Sequence, residues 1–386
     1  MTTTYDLLIK GATVIDPGEG IHAHRDVAIL GDRIAEVSEE IHTERAQNVI
    51  DATGKLVTPG LIDLHVHVWE GVSHFGVPPD PTCLARGVTT AFDAGSAGAD
   101  TFQGFKKFII DVSATRIRAF LHISAQGMLS ADIGELTDIR YADVQKAIQT
   151  CEANKRDIVG IKIRMSRQLV GENGRESWNR AREVCEATGL PLMVHPNASP
   201  VSMVDMLDEL RSGDIVTHCF HQSDTGILNK DGEVLPEVRR ASEKGVRFDV
   251  GHGQGSFSFG VAEAALRQGV VPGTISSDLH VYNVNGPVYD QITTISKFLT
   301  LGFSLDEVIE KVTCAPAAAM GMATDIGSLR KGSCADISII ELEAGTFEYT
   351  DAHGETRIGE QKLIPVSTIR GGRLYAPSAF ANRSPS

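Results

Sequence analysis

The feature that most constrains the fold of this chain is an alternation of short β-branched runs with longer amphipathic stretches over residues 60–280. Such an alternation predicts repeated βα units, whose strands lie parallel in one sheet. Eight runs are predicted strands: residues 60–68, 88–95, 116–124, 158–165, 190–196, 214–220, 247–253 and 273–280. Helices are predicted at residues 143–154, 176–188, 200–211, 235–244, 261–268 and 289–301.

Eight strands that alternate with helices over roughly 220 residues fit an α/β fold of the (β/α)8 barrel type, which typically takes about 250 residues. A doubly wound open sheet is the rival architecture, but no Gly-x-Gly-x-x-Gly follows an early strand to support a nucleotide site. The chain ends differ from the middle, with short strands punctuated by Gly and Pro at residues 5–37 and 335–375. We therefore expect both ends to share one sheet, with a hairpin turn at Gly371-Gly372.

Charge and cysteine usage exclude several classes of function. The net charge of −14 argues against a nucleic-acid or anionic-membrane surface. No run approaches the ~18 apolar residues of a membrane span, and Asp6 interrupts the place of a signal peptide's apolar stretch. The six scattered cysteines form no Cys-x-x-Cys pair, so neither a disulfide framework nor a thiolate zinc site is predicted. We expect a cytoplasmic protein that acts on a small molecule.

Candidate metal ligands stand at the ends of the predicted strands, where the active sites of such barrels are built. The first run ends in Asp63-Leu-His65-Val-His67, and its two histidines face the same side because strand side chains alternate. Later runs end in Lys162, His195, His218 and Asp278. Alone, each histidine could be a hydrogen-bonded core residue, Lys162 an ion-pair partner and Asp278 a helix N-cap. Together, imidazoles and a carboxylate predict a site for zinc or a comparable divalent ion.

The segment Pro59-Gly60-Leu61-Ile62-Asp63-Leu64-His65-Val66-His67, with those strand-end residues, resembles the amidohydrolase superfamily along almost the whole chain. The resemblance implies a metal-dependent (β/α)8 TIM barrel, residues 59–324, beside a small β-sandwich domain, residues 1–58 plus 325–386. It implies two divalent ions, which we expect to be zinc: one held by His65 and His67, the other by His195 and His218. Lys162 would be a carboxylated bridge between the ions, and Asp278 would be a ligand of the first ion and the acid/base. The resemblance also implies a homo-oligomer.

Physical chemistry agrees with the role that the resemblance gives Lys162. A lysine amine is a poor zinc ligand, whereas its CO2 adduct is an anionic carboxylate that can bridge two cations. Two ions would lower the pKa of a bridging water from about 15.7 toward about 7 and polarise the substrate carbonyl. The bridging hydroxide would attack, and Asp278 would take a proton and deliver it to the leaving group.

Two further segments, Asp249-Val-Gly-His252-Gly-Gln-Gly-Ser256-Phe257 and Ser276-Ser277-Asp278-Leu279-His280, resemble the bacterial amidohydrolase/deacetylase group often labelled dihydroorotase. Dihydroorotases usually carry an arginine two residues after the second motif histidine, where this chain has Trp69. We therefore place deacetylase-like hydrolysis of a small N-acyl or O-acyl acid first. Cyclic amide hydrolysis of the dihydroorotase, hydantoinase or imidase type is the alternative. A single-metal deaminase is less favoured, because such enzymes usually lack a bridging lysine and this chain has Lys162. A catalytically silent binding barrel is less favoured, because it would have lost metal ligands and this chain keeps all six.

Residues expected to bind substrate also follow the predicted strands. Arg164 stands two residues after Lys162 and could hold a substrate carboxylate, although a structural salt bridge explains it equally well. Trp69 is expected to form an apolar wall. The histidines after the last three runs could bond substrate or orient metal ligands: His221, His252 and His280.

Overall fold

The computed structural model describes residues 4–376. Its strands are β1 Tyr5–Asp16, β2 Ile21–Leu30, β3 Arg33–Ser38, β4 Ala46–Asp51, β5 Leu56–Pro59, β6 Leu61–Val66, β7 Val88–Gly98, β8 Arg116–His122, β9 Ile158–Arg164, β10 Leu192–His195, β11 Ile215–Val216, β12 Arg247–Phe248, β13 Ile337–Thr350, β14 Thr356–Arg370 and β15 Arg373–Tyr375. Its α-helices are α1 Pro79–Thr82, α2 Phe102–Phe105, α3 Val144–Ala153, α4 Arg167–Val170, α5 Gly174–Thr188, α6 Met203–Glu209, α7 Pro236–Lys244, α8 Phe259–Arg267, α9 Gln291–Thr300, α10 Leu305–Lys311 and α11 Cys314–Ala319.

One sheet contains the seven strands β6 to β12 in chain order, with every neighbouring pair parallel. Every residue of β6 and β7 is buried, as expected for a parallel sheet covered on both faces. The βα alternation is therefore confirmed for the first seven predicted runs, and with it the α/β class. The six predicted helices correspond to α3 and α5 to α9.

The eighth predicted run, residues 273–280, does not form a continuous strand. It makes isolated parallel bridges on both sides, between Thr274 and Asp249 and between Leu279 and Val66. The reason is local: the Ser277 backbone N–H donates to the Asp63 carboxylate at 3.0 Å, and Asp278 has a φ of +49°. Because this segment bridges to both ends of the parallel sheet, the sheet is curled.

The other sheet combines strands from both ends of the chain, as predicted. Its strand order is β15-β14-β13-β5-β1-β2-β3, and β4 pairs with β1. Within it, β5 lies between β1, its parallel neighbour, and β13, its antiparallel neighbour. Gly371 and Gly372 have φ values of +57° and +75° and form the expected turn between β14 and β15. The predicted domain boundaries and the β-sandwich remain predictions, and residues 1–3 and 377–386 lie outside the described part.

The main apolar core fills the space between the curled sheet and its helices, with Trp178 and Phe298 among its fully buried members. Side-chain caps fix the first residues of two helices. Asp143 accepts from the Lys146 N–H at the start of α3, and Asp290 accepts from the Thr293 N–H at the start of α9. Across residues 4–376, the structure has no helix with the length and apolar content needed to cross a bilayer. This packing holds the carboxyl ends of the parallel strands at one face of the fold.

Candidate metal centre

The predicted ligands of the first ion lie together at the carboxyl ends of the strands. Nε2 of His65 and Nε2 of His67 each lie 3.3 Å from Oδ1 of Asp278. The ligand atoms of these three buried residues are all within 4.8 Å of one another. Nζ of Lys162 lies 3.3 Å from Nε2 of His65. The structure thus brings four residues to one point: His65 of β6, His67 directly after β6, Lys162 of β9 and Asp278 of the eighth run.

The predicted ligands of the second ion lie next to this group. The ring centroid of His218 is 4.9 Å from that of His65 and 4.4 Å from that of His195. All six predicted ligands line one cavity of about 180 Å³. His65, Lys162 and His195 lie in β6, β9 and β10. The other three lie just after β6, just after β11 and in the eighth run, so the arrangement depends on the curled sheet.

Each candidate histidine uses one ring nitrogen to bond outward. Nδ1 of His65 lies 2.8 Å from the Thr217 hydroxyl, and Nδ1 of His67 lies 3.0 Å from the Ser96 hydroxyl. Nδ1 of His218 lies 2.6 Å from the Gly251 carbonyl. In His195, Nε2 lies 3.3 Å from the Ser166 hydroxyl. Such outward bonds fix the ring orientation and tautomer of metal-binding histidines and leave the other nitrogen for the ion.

Burial controls the charges of this centre. It lowers the pKa of His65, His67 and His195 well below the ordinary histidine value, and that of His218 to about 3. Neutral imidazole is the form that binds a metal. Burial also lowers the pKa of Lys162 to about 7. Neutral imidazoles and a buried carboxylate make a donor set that fits divalent cations.

The backbone is strained where it presents two of these ligands. His218 has a φ of +60° and Asp278 a φ of +49°. They are two of the four non-glycine residues with positive φ within residues 4–376. A left-handed conformation costs a non-glycine residue on the order of 1–3 kcal/mol, and such strain persists where the surrounding structure imposes it. Half of these strained residues are candidate metal ligands, which supports a functional role for the strain.

Arg164 lies on the cavity wall and is also salt-bridged. Its Nη1 donates to Oε1 of Glu135 at 2.9 Å, and Oε2 of Glu135 lies 3.0 Å from Nε2 of His122. Burial would raise the pKa of Glu135, but the charges of Arg164 and His122 lower it to about 2. The guanidinium lies 5.1 Å from the ring centroid of Phe75. The salt bridge expected for Arg164 is therefore present and holds it at the wall, and its binding of a substrate carboxylate stays a prediction.

Of the other expected substrate-binding residues, His280 lines the cavity, with its ring 4.7 Å from that of Phe75. His221 and His252 are not among the described residues that line the cavity. Nδ1 of His221 accepts from the Ser223 N–H at 3.2 Å.

In His252, Nδ1 lies 2.9 Å from the carbonyl of Gly253, and Nε2 accepts from Nζ of Lys297 at 2.7 Å. Trp69 is also absent from the wall, since its ring lies against Phe105 with centroids 5.4 Å apart. The expected apolar wall at position 69 is therefore replaced by core contacts.

Sequence reasoning missed several residues of the cavity wall: Phe75, Gln254, Gly255 and Ser256. Residues 254–256 directly follow the seventh predicted run and lie in the segment 249–257 that resembles the deacetylase group. Their position after a predicted strand could therefore have identified them. Phe75 lies in the long connection after β6, and its ring stacks on His67 with centroids 5.0 Å apart. No periodic pattern marks a residue in such a connection.

Comparisons with known proteins agree on the family. A family model described as "Amidohydrolase family" matches residues 56–374. A protein of Agrobacterium fabrum named a deacetylase is 34% identical over 381 residues, which cover 98% of this chain and 93% of that protein. Two solved structures, titled an adenine deaminase and a dihydroorotase, each superpose with a TM-score of 0.89. They are 34% and 32% identical, and the matches cover 96% of this chain and 100% and 99% of theirs.

Proposed function

Because the chain belongs to the amidohydrolase family, we propose that it hydrolyses an amide or ester bond of a small N-acyl or O-acyl acid, in a deacetylase-like reaction. The family and its relatives named deacetylase and dihydroorotase support a hydrolase acting on carbon–nitrogen bonds. The observation that carries the finer proposal is the cavity in which six candidate ligands share one wall with Arg164. This cavity places a group that can bind a carboxylate beside a centre that can hold metal ions.

Two divalent ions, expected to be zinc, would be held by two sets of residues in this proposal. His65, His67 and Asp278 would hold one ion, and His195 and His218 the other, with carboxylated Lys162 between them. The low pKa of Lys162 supports this, because an unprotonated amine is the form that adds CO2. Nζ forms a bond to the carbon of CO2 and loses a proton, which leaves an anionic carbamate. Ions bound here would supply an activated water and polarise the substrate carbonyl, as bridging-hydroxide chemistry requires.

The chain's own groups would perform the proton transfers and orient the substrate. Asp278, whose carboxylate faces the centre, would accept a proton from the attacking water and pass it to the leaving nitrogen or oxygen. Nε and Nη2 of Arg164 have no hydrogen-bond partner among the described residues, so they are free to hold a substrate carboxylate. Nδ1 of His280 accepts from the Tyr282 N–H, which leaves a proton on Nε2 to donate to the substrate.

Cyclic amide hydrolysis is the second candidate. It is favoured by the likeness to a structure titled a dihydroorotase, at 32% identity over nearly the whole chain. The residues would play the same parts in opening a ring. Position 69 counts against it, because Trp69 stands where dihydroorotases usually carry an arginine, and its ring packs against Phe105. Arg164 is therefore the one arginine among the described residues that line the cavity. Lys162 likewise counts against a single-metal deaminase.

The finer architecture belongs to the same proposal. The bridges on both sides of residues 273–280 support a closed (β/α)8 barrel over residues 59–324. The mixed sheet built from both chain ends supports a separate small domain, residues 1–58 plus 325–386, of the β-sandwich type. A homo-oligomeric state and a cytoplasmic location remain predictions.

The test combines metal analysis with a substrate screen. Protein purified without chelator is analysed for metal per chain and assayed against N-acetyl amino acids, acyloxy acids, dihydroorotate, hydantoins and cyclic imides. We expect two metal ions per chain and turnover of a linear acyl acid. Turnover of cyclic substrates alone would favour the second candidate. One ion or none would contradict the bridging role of Lys162.

A further inference from the structure

A buried carboxylate that takes no part in the proposed reaction lies directly behind the candidate metal centre. Oδ2 of Asp249 accepts hydrogen bonds from the hydroxyls of Thr217, at 2.8 Å, and Ser276, at 2.6 Å. Its Oδ1 accepts from the hydroxyl of Thr274 at 2.6 Å. All four side chains are buried. We call these four residues the Asp249 cluster.

The directions of these bonds follow from the chemistry of the groups. An ionised carboxylate can only accept, so each hydroxyl must donate its single proton to Asp249. The hydroxyl oxygens of Thr217 and Ser276 can then only accept from their other neighbours. Any other group that bonds to the Thr217 or Ser276 hydroxyl must therefore be the donor.

The first branch of the cluster leads to His65. The Thr217 hydroxyl has given its proton to Asp249, so it must accept from Nδ1 of His65, 2.8 Å away. Nδ1 then carries the ring proton, and Nε2 keeps its lone pair. That Nε2 is the nitrogen that faces Asp278 and Lys162.

The second branch leads to His218 through the backbone of Gly251. The Ser276 hydroxyl accepts from the Gly251 N–H at 3.0 Å, which holds the backbone of this residue in place. The carbonyl of Gly251 lies 2.6 Å from Nδ1 of His218, and a carbonyl can only accept. His218 is therefore also protonated at Nδ1, with a free lone pair on Nε2.

We propose that Asp249 is a positioning residue that sets the tautomer of His65 and, through Ser276, holds the Gly251 backbone that bonds His218, and so prepares one ligand for each of two metal ions. The assignment of the two histidines to different ions rests on the proposed function. Through this arrangement, the two metal positions depend on one carboxylate outside the cavity, by two separable routes.

Leucine at position 249 would fill nearly the same volume but would accept no hydrogen bond. The Thr217 hydroxyl would lose the acceptor that takes its proton and would be free to donate to Nδ1 of His65. The ring proton would then lie on Nε2, where it blocks metal binding. The Ser276 hydroxyl would also lose its acceptor, and with it the fixed position from which it holds the Gly251 backbone.

The experiment measures zinc binding rather than turnover. Each variant is stripped of metal, checked for folding by circular dichroism and thermal melting, and titrated with Zn²⁺ in bicarbonate buffer against a chromophoric chelator. The variants are Asp249→Leu, Thr217→Val and Ser276→Ala, with Thr217→Ser as the rescue. Thr274→Val is the matched control, because it removes a hydroxyl from the same carboxylate without a histidine on its other side.

Loss of an outer hydrogen-bond partner typically weakens metal binding about 10–100-fold. We expect a loss of that order in one binding step for Thr217→Val, in the other step for Ser276→Ala, and in both for Asp249→Leu. Thr217→Ser and Thr274→Val should bind both ions with the affinities of the wild type. Should Thr217→Val not fold, Ser276→Ala and Asp249→Leu still test the same proposal.

Equal zinc affinities for Asp249→Leu, Thr217→Val and Thr274→Val would overturn the positioning role. So would a double variant, Thr217→Val with Ser276→Ala, that weakens only one step, because it would show that the two routes do not serve different ions. A wild-type protein that binds no zinc would instead contradict the proposed function. The two failures are therefore distinguishable.

Discussion

Replacing Gly95 by alanine is expected to disable the candidate metal centre without touching a ligand. Gly95 lies in β7, and a Cβ added there would be 2.7 Å from both Cβ and Cγ of Lys162. Carbon atoms normally pack at about 3.5–4.0 Å, so the Lys162 side chain would have to retreat by about 1 Å. A displacement of that size at a reacting centre can cost about 100-fold in rate.

The effect on stability has two parts. Gly95 has a φ of +94°, and an alanine in a sparsely populated backbone region costs about 1–3 kcal/mol. Forcing an extra carbon into a filled space costs about 1–3 kcal/mol more. Gly302 separates the two, because it has the same φ of +94° but no atom within 4 Å of an added Cβ. Gly302→Ala therefore carries the backbone cost alone.

The assay compares the two alanine variants with the wild type in metal content per chain, kcat/KM for the best acyl substrate and free energy of unfolding. We expect both variants to lose stability, and Gly95→Ala to lose about 1–3 kcal/mol more than Gly302→Ala. Metal content and kcat/KM should fall only in Gly95→Ala. Wild-type metal content and turnover in Gly95→Ala, or an equal loss in Gly302→Ala, would refute the close-approach argument.

Three other substitutions test separate parts of the site. Lys162→Ala should reduce the metal content to one ion or none while the melting curve stays cooperative, and added short-chain carboxylate should restore part of the second ion. Glu135→Gln should destabilise the metal-stripped protein by about 3 kcal/mol at pH 7, because the folded pKa of Glu135 is about 2 against an ordinary 4.5. A lowered carboxyl pKa stabilises the fold only while the group is ionised, so this difference in stability should shrink as the pH falls below 4.5. A difference in the free energy of urea unfolding that does not change with pH would contradict this expectation. Arg164→Met should raise KM at least tenfold for substrates with a carboxylate but not for their neutral amides, and equal changes for both would remove its proposed role.

The parallel sheet and the six candidate ligands were predictable because both depend on regular geometry. Strand side chains alternate, and parallel strands end at one face, so His65, His67 and Lys162 could be placed together from their positions in the runs. The eighth run was only partly predictable. Its β-branched and serine-rich composition indicates an extended segment, but composition does not show that the Ser277 N–H donates to Asp63 instead of to a neighbouring strand.

The residues that sequence reasoning missed or misplaced lie where the chain is irregular. Glu135 reaches Arg164 from the long connection after β8, and no spacing rule relates the two positions. His221 and His252 do follow strands, as expected, but the direction of each ring is decided by its hydrogen-bond partners in the loops. Trp69 is directed by its contact with Phe105, which lies outside the predicted elements.

The sheet that joins both chain ends also governs how the protein can be made on the ribosome. In that sheet β5 pairs with β13, and Leu56 is in register with Ile340, about 280 residues later in the chain. While the intervening chain is being synthesised, β5 has no partner on that edge, and an unpaired strand edge is a template for pairing with other chains. The amino-terminal strands must therefore wait, exposed to aggregation, until almost the entire polypeptide has emerged. A chain that stops before β13 would keep this edge open permanently.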